Sequence, residues 1–461
     1  METKRIVIVG GGITGLTAAY YLQKENPKMN VTLLEQSGDL GGKMHTVHHD
    51  GHIIERGADS FLARKKPGMR LMDELGLTDR LIRNQTGQAY VLVQDQLHSI
   101  PAGSYMGIPI EEGPFMASDL LTSSGKERVL KEKVIPKGVP TETESLGRFL
   151  RRRFGDELVE NVLEPLLSGI YSSDIDQMDL MSTFPNFYEL EQQYGSILRG
   201  LRETMPERRR GTGQKSGQFV ALPHGMEDIT AALVRVIGEP TIQTGKEVQK
   251  INGGEEGYTL QTTDGSLYEA DRVLLALPHQ DVPELFSERT ALMQPLKHIP
   301  VSSVANVALG FDADNVNNHL DGTGFVVSRN SAFRITACTW TDRKWPHTTP
   351  DGKVLFRLYV GKPSDQDIVT LPDEDIVSIV LNDMRQIMTI TGDPDFAVVS
   401  RWPKRMPQYT AEHQHIVSQA RETLQQELPG IFLAGSSYDG VGIPDCIASA
   451  EKAVQQIQSS L

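Results

Sequence analysis

One stretch near the N-terminus constrains this chain more than any other. Gly10-Gly11-Gly12-Ile13-Thr14-Gly15 follows directly on the apolar run Arg5-Ile6-Val7-Ile8-Val9. The run reads as a buried parallel strand, and Gly15 to about Lys24 as the helix after it. Val31-Thr32-Leu33-Leu34-Glu35 reads as a second strand, closing a βαβ unit of about 30 residues, the usual size. In such a unit the first glycine permits a tight turn, the middle one lets backbone approach a pyrophosphate, and the last lets helix pack on sheet. The helix N-terminus presents N–H groups and the positive end of its dipole to the phosphates. Gly10, Gly11, Gly12, Ile13, Thr14 and Gly15 are therefore the expected phosphate cradle. Glu35 lies 20 residues beyond Gly15, where a carboxylate can take both ribose hydroxyls of an adenosine, with Gln36 beside it. The motif alone is weak, but a strand before it, a helix after it and a spaced acid make it a dinucleotide site.

The segments that follow point to FAD. Leu40-Gly41-Gly42-Lys43 stands where many flavoproteins place a paired glycine that wraps the cofactor. Arg56-Gly57-Ala58-Asp59-Ser60 can continue along the flavin half, through Gly57, Ala58, Asp59 and Ser60. At the far end, Ile431-Phe432-Leu433-Ala434-Gly435 reads as a strand, and Ser436 to Pro444 as a Gly-rich loop before a helix from about Asp445. A strand, a loop and a fresh helix N-terminus suit the electron-rich edge of an isoalloxazine, which marks Gly435, Val441, Gly442 and Ile443. Alone, either of the first two could be a surface turn and the third a plain strand-helix connection. Their order at the two ends of the chain makes FAD the expected cofactor. No second strand–G-x-G-x-x-G–helix unit is present, since Gly211-Thr212-Gly213 follows an arginine run. Electrons are therefore expected to leave for dioxygen or a diffusing acceptor.

At 461 residues the chain is long enough for two or three domains. Its net charge of −14 argues against nucleic acid as a partner. Cys338 and Cys446 are far apart, which excludes a disulfide framework, a cysteine metal site and the redox pair of a flavin disulfide reductase. No apolar run approaches the roughly 18 residues that span a bilayer, and the first strand begins too early for a signal peptide. A cytoplasmic protein is expected, at most loosely peripheral to a membrane. His48-His49 and the pair His413 and His415 lack a third ligand, so they read as surface histidines and no metal is expected. No Ser-His-Asp or H-E-x-x-H pattern stands out. From Gly113 to Tyr171 the texture is helical, with Leu146, Phe149, Leu150 and Phe154 at helical spacing and Pro165 opening or kinking a turn. Strand-like runs follow at 271–277, 301–311, 324–327 and 354–360, and helical ones at 373–390 and 410–427. The expected architecture is α/β with mixed α+β character. A Rossmann-like FAD-binding domain takes 1–84, 216–274 and 401–461, a helical insert 85–215, and a mixed-sheet substrate domain 275–400.

Together, the Gly10–Gly15 fingerprint, Gly41-Gly42, Glu55-Arg56-Gly57-Ala58-Asp59-Ser60-Phe61 and Asp439-Gly440-Val441-Gly442-Ile443-Pro444-Asp445 resemble the porphyrinogen oxidase branch of the flavin amine oxidase superfamily. Glu164-Pro165-Leu166-Leu167-Ser168-Gly169-Ile170-Tyr171 and Ser182-Thr183-Phe184-Pro185 sharpen the resemblance, which runs through nearly the whole chain and in detail is to the form of Gram-positive bacteria. Lys43 departs from it, because superfamily members commonly carry arginine there, and lysine loses the bidentate fork. The resemblance implies the p-hydroxybenzoate hydroxylase/amine oxidase type of fold and a six-electron oxidation of coproporphyrinogen III in heme biosynthesis. Three flavin cycles would pass electrons to dioxygen and form hydrogen peroxide, with protoporphyrinogen IX as the alternative substrate. It also implies transient contact with the next heme-pathway enzyme, a Val248 backbone contact to the adenine and Trp402 over the flavin. Flavin does the chemistry, so no catalytic side chain is expected.

Substrate carboxylates need cations, and Lys65 of Arg64-Lys65-Lys66 is the expected anchor, with Arg151-Arg152-Arg153 and Arg208-Arg209-Arg210 as solvated alternatives. Tyr171, Phe184 and Asn186 fall in the segment that the resemblance assigns to the substrate wall. Two other readings stay open. One is an amine oxidase or desaturase, with an aromatic cage from Trp402, Tyr409 and Tyr438. The other is an FAD-binding scaffold without turnover.

Overall fold

Ile6 and Ile8 are fully buried and Val7 and Val9 at most 4% exposed, the burial of a central strand covered on both faces. In the computed structural model, which describes residues 3–85, 87–138, 144–205, 217–254, 256–286 and 289–461, that strand spans Arg5–Val9. It pairs in parallel with Asn30–Leu34 on one side and Arg272–Leu275 on the other. Ile242–Gln243 and Ile431–Leu433 complete a parallel five-stranded sheet. Helices Ile13–Glu25 and Ile443–Ser459 pack against each other. These elements belong to one of two compact units, composed of Met1–Arg83, Gln218–Pro300 and Gln414–Leu461. Segments from the start, middle and end of the chain thus lie side by side in it.

The second unit comprises Asn84–Gly217 and Val301–His413. Its seven-stranded sheet runs in the order Phe396–Pro407, Val301–Asp312, Lys353–Val360, Ala337–Trp340, Gly324–Val327, Tyr90–Val93, Gln96–Ser99. Neighbours are antiparallel except Gly324–Val327 with Tyr90–Val93, so the sheet is mixed as expected. Val307, Leu309, Phe356 and Leu358 on one face share a core with Ile376, Val380 and Met384 of helix Asp373–Ile387. The strand Phe396–Pro407 was not expected from the sequence. It carries Pro403 and Pro407, and it lies at a sheet edge, where a missing N–H is tolerated.

Two expectations about charged and polar side chains are corrected. The arginine run does not form a solvated face: Arg153 on helix Leu146–Phe154 is fully buried, with its Nε 2.8 Å from Glu132 Oε1 and Nη1 3.2 Å from Glu191. The reason is the spacing, since 146, 149, 150 and 153 form one helical stripe. His413 is not a surface residue either; it is 1% exposed and its ring stacks on Tyr409 at 3.8 Å, whereas His415 is exposed. Arg208-Arg209-Arg210 and Gly211-Thr212-Gly213 lie outside the described residues.

Pro165 marks a helical irregularity. A π-helical turn, Val159–Leu163, precedes the helix Glu164–Tyr171, and the widened turn takes up the missing N–H and the clash that proline brings to a regular helix. Glu164 opens that helix, and its carboxyl is pushed up to about 7, chiefly by burial, with Asp174 adding to the shift and Arg329 opposing it. An acid whose pKa is raised on folding stabilises the fold below its unfolded value and loses that contribution as pH rises through the folded value. Glu164→Gln is therefore expected to melt above the parent at pH 8. The difference should close as pH falls through about 7 toward the unfolded carboxyl range, which thermal melts across that range would check.

Candidate cofactor site

The cradle is built by glycines that cannot be replaced and one that has open space above it. Gly10 has φ +110°, and a Cβ there would lie 2.6 Å from the Ala276 carbonyl oxygen. A Cβ on Gly15 would lie 1.9 Å from Gly10 O, so helix and turn touch backbone to backbone. Gly12 differs: its φ is −73°, no atom lies within 4 Å of a Cβ built on it, and it caps helix Ile13–Glu25 without a side-chain hydrogen bond. Gly442 likewise caps helix Ile443–Ser459 with no side-chain hydrogen bond. Helix starts normally find acceptors for their first N–H groups. Two uncapped starts with glycine caps in one unit offer paired donors and positive dipole ends to an anionic ligand.

The other expected segments converge on the same place. Gly41 N–H donates to Gly11 O at 2.9 Å, and a Cβ on Gly42 would lie 3.3 Å from the Gly12 Cα. A Cβ on Gly57 would lie 1.8 Å from Lys43 O, so the segments carrying Lys43 and Gly57 touch. Ala58 is exposed, and Ser60 donates to the Asp59 carboxylate at 2.7 Å. Gly435, buried, would place a Cβ 3.3 Å from the Thr14 hydroxyl, which joins the C-terminal loop to the first turn of the N-terminal helix. Burial pushes the Cys446 thiol up to about 11, while the Thr14 hydroxyl and the Lys43 charge pull the other way. Cys446 is thus an inert buried thiol beside the cradle.

Glu35 is held in position. Its Oε2 accepts the Gly11 N–H at 2.7 Å, and Oε1 accepts the Ser37 N–H and hydroxyl, each at 2.9 Å. Each carboxylate oxygen has two lone pairs, so Oε2 keeps capacity for one ribose hydroxyl. Gln36 next to it is exposed. Lys246 N–H donates to Glu35 O at 2.8 Å and Gly245 N–H to Ser37 O at 2.9 Å, which lays the run into strand Val248–Gly254 along the Glu35 segment. Lys65 binds both oxygens of Asp445 at 2.6 Å, in the first turn of the C-terminal helix. Its charge is thereby shared with a carboxylate of the same unit, while Arg64 and Lys66 are exposed.

Three further candidates lie in the second unit. Trp402 sits on the edge strand opposite Val304 and is half-buried. Tyr171 ends its helix with its ring 5.4 Å from Tyr409 and 6.2 Å from Phe184, both buried. Asn186 lies in the first turn of helix Pro185–Tyr194. Tyr438, the third aromatic of the amine oxidase alternative, belongs to the first unit and packs in its apolar core with its hydroxyl on Leu277 O at 3.4 Å. Sequence reading missed the residues that fasten the C-terminal loop. Asp439 accepts from Arg421 at 2.7 Å and from Ser449 at 2.5 Å; burial pushes its carboxyl up, but Arg421 outweighs that and holds it below the usual range. Among the described residues no cluster of His, Cys, Asp or Glu could hold a metal, and no helix is long and apolar enough to cross a membrane.

The profile of the flavin containing amine oxidoreductases matches residues 13–458. The chain belongs to that family. With the flavin supplied by the family and the dinucleotide site by the βαβ unit, the cofactor is FAD. The open space over Gly12, the two uncapped helix starts and the anchored Glu35 carboxylate all fit that group. The chain is 46% identical to the coproporphyrinogen III oxidase of Bacillus subtilis over 98% of its own length and 97% of the relative's. It is 39% identical to the Staphylococcus aureus enzyme of the same name, with both chains covered completely. A crystal structure from Exiguobacterium sp. 255-15, assigned provisionally as a protoporphyrinogen oxidase, superposes with a TM-score of 0.88 at 39% identity, covering 100% of each chain.

Proposed function

We propose that this flavin oxidoreductase converts coproporphyrinogen III to coproporphyrin III in heme biosynthesis, with dioxygen as electron acceptor. The observation that carries the reading is the 46% identity to a curated enzyme of that name, sustained over 98% of this chain and so across both units. The macrocycle loses six hydrogens, and three dioxygen molecules become three of hydrogen peroxide. Bound FAD supplies the two-electron acceptor and passes the electrons to dioxygen.

The chain's own residues bind, orient and exclude. Gly10 to Gly15 and the helix behind them hold the pyrophosphate, and Gly42, Lys43 and Gly57 to Ser60 continue along the cofactor. Glu35, flanked by Gln36, takes the ribose, and the Val248 backbone meets the adenine. Gly435, Val441, Gly442 and Ile443 hold the isoalloxazine edge with Trp402 covering the flavin. Lys65, Tyr171 and Asn186 contact the tetrapyrrole, with Lys65 serving a propionate from its place beside Asp445. The enzyme works in the cytoplasm and passes its product on in transient contact with the next enzyme of the pathway. An amine oxidase reading is disfavoured by the burial of Tyr438 in the core.

Purified holoprotein incubated aerobically with each porphyrinogen tests the reading. Porphyrin fluorescence should grow with three peroxides per porphyrin formed. Coproporphyrinogen should be preferred by about tenfold or more in kcat/KM, the effect of one further charged hydrogen bond. Faster turnover of protoporphyrinogen, or reduction of the flavin by amines alone, would count against it.

A further inference from the structure

His279 lies just past the end of strand Arg272–Leu275 and is 1% exposed. Its Nε2 is 3.0 Å from the Ile299 carbonyl oxygen, its Nδ1 is 3.1 Å from Ser437 Oγ, and its backbone N–H donates to the same Oγ at 3.1 Å. A carbonyl only accepts, so Nε2 carries the proton, and Nδ1 of the neutral ring is left as an acceptor. Ser437 therefore donates its hydroxyl proton to Nδ1 and accepts the backbone N–H of the same residue. Burial keeps the ring below its usual pKa, and the Lys43 charge acts in the same direction.

The segment that carries His279 touches both ends of the cofactor site. Ala276 N–H donates to Val9 O at 2.9 Å, and Ala276 O lies against Gly10, where a Cβ would come within 2.6 Å. Leu277 O accepts the Tyr438 hydroxyl at 3.4 Å, and Ala434 N–H donates to Leu275 O at 3.2 Å. Four residues, Ala276 to His279, thus bridge the phosphate turn and the C-terminal loop.

We propose that His279 is a positioning residue for FAD: through Ser437 it locks the Gly435–Ile443 loop to the turn that holds the pyrophosphate. The proposal rests on the assignment of that loop to the cofactor. The bond to Ile299 only orients the ring; the bond to Ser437 sets the loop.

Two substitutions separate these bonds. Asparagine can place an acceptor where Nδ1 stands, and glutamine a donor where Nε2 stands. His279→Asn keeps the Ser437 partner and should bind FAD like the parent, with an unchanged visible flavin spectrum. His279→Gln keeps only the Ile299 partner, and Ser437→Ala removes the lock from the other side. Both should raise the FAD dissociation constant about tenfold, the loss of one buried hydrogen bond, and shift the flavin band, while the three apoproteins, each short of one buried hydrogen bond, should all melt somewhat below the parent. FAD titration of apoprotein by flavin fluorescence reads this without turnover. Parental binding by both His279→Gln and Ser437→Ala would overturn the lock. So would weaker binding by His279→Asn than by His279→Gln, or an equal loss in the two. Gly442→Val, which crowds the uncapped helix start, tests the loop assignment separately. If it too binds FAD like the parent, the assignment fails and the lock with it. If it releases FAD while His279→Gln does not, the loop stands and the lock alone is wrong.

Discussion

Gly12→Asp is expected to give a folded protein that purifies without flavin. Gly12 has extended dihedrals, φ −73° and ψ 177°, and open space at its Cβ position, so an aspartate enters without strain. It caps helix Ile13–Glu25, and aspartate improves on glycine as an N-cap by a few tenths of a kcal/mol. The apoprotein should therefore melt at or slightly above the parent's temperature. The added carboxylate, however, fills the position assigned to the pyrophosphate and repels it. Juxtaposed like charges cost several kcal/mol, so FAD affinity should fall by about a hundredfold or more. Absorbance of the purified protein, FAD titration and an apoprotein melt check the two halves together. A yellow Gly12→Asp protein with a full complement of flavin would place the pyrophosphate elsewhere. Gly15→Ala would also lose its colour, but through the 1.9 Å contact with Gly10 O, and its melt should drop with it.

The second large effect lies in the other unit. Glu132→Ala should lower the melting temperature on the order of 10 °C, because breaking one side of a buried ion pair costs about 3–5 kcal/mol. Glu132 and Arg153 are both fully buried. The glutamate accepts the Ile197 N–H at 2.8 Å and the Leu198 N–H at 3.3 Å, and it also takes the Ser196 hydroxyl. One substitution thus leaves a guanidinium short of a partner and takes the acceptor from the Ile197 and Leu198 N–H groups at the start of helix Ile197–Thr204, where Ser196 still caps the Arg199 N–H. Arg153→Met should cost more, since it takes the cation from two fully buried carboxylates, Glu132 and Glu191, whereas after Glu132→Ala the guanidinium keeps Glu191 and the Ile135 and Gly195 carbonyls. Calorimetry of the two variants checks the order. A loss under 1 kcal/mol for Glu132→Ala would mean that the site relaxes around the charge.

How much of this could be read from the chain follows from how far each interaction reaches. Strand Arg5–Val9, the glycine turn and helix Ile13–Glu25 are set by neighbours within one βαβ unit, and the sequence pattern carries them in full. The segments at Gly42, Gly57 and Gly442 were recognisable because each is a short glycine turn with its own local signature. Arg153 carries a charge that suggests solvent, while its spacing from Leu146, Phe149 and Leu150 places it in the buried stripe. His279 and Ser437 stand 158 residues apart, and neither belongs to a motif, so nothing local pairs them. His413 looked like half of a surface pair, yet its neighbour in space is Tyr409. Long-range polar contacts are what periodicity cannot see.

The parallel sheet that carries the phosphate turn has a consequence for timing. Strand Ile431–Leu433 joins it beside Arg272–Leu275, and the loop and helix after it finish the cradle. On a ribosome adding about 5–20 residues per second, the glycine turn emerges tens of seconds before this strand. From its own synthesis until Ile431–Leu433 arrives, Arg272–Leu275 is an unprotected edge, open to pairing with other chains. On the proposed assignment of the Gly435–Ile443 loop to the flavin, FAD cannot be gripped at both ends before synthesis reaches Ile443. Cofactor capture is thus a late event, and a chain interrupted before that point would be both flavin-free and prone to aggregate.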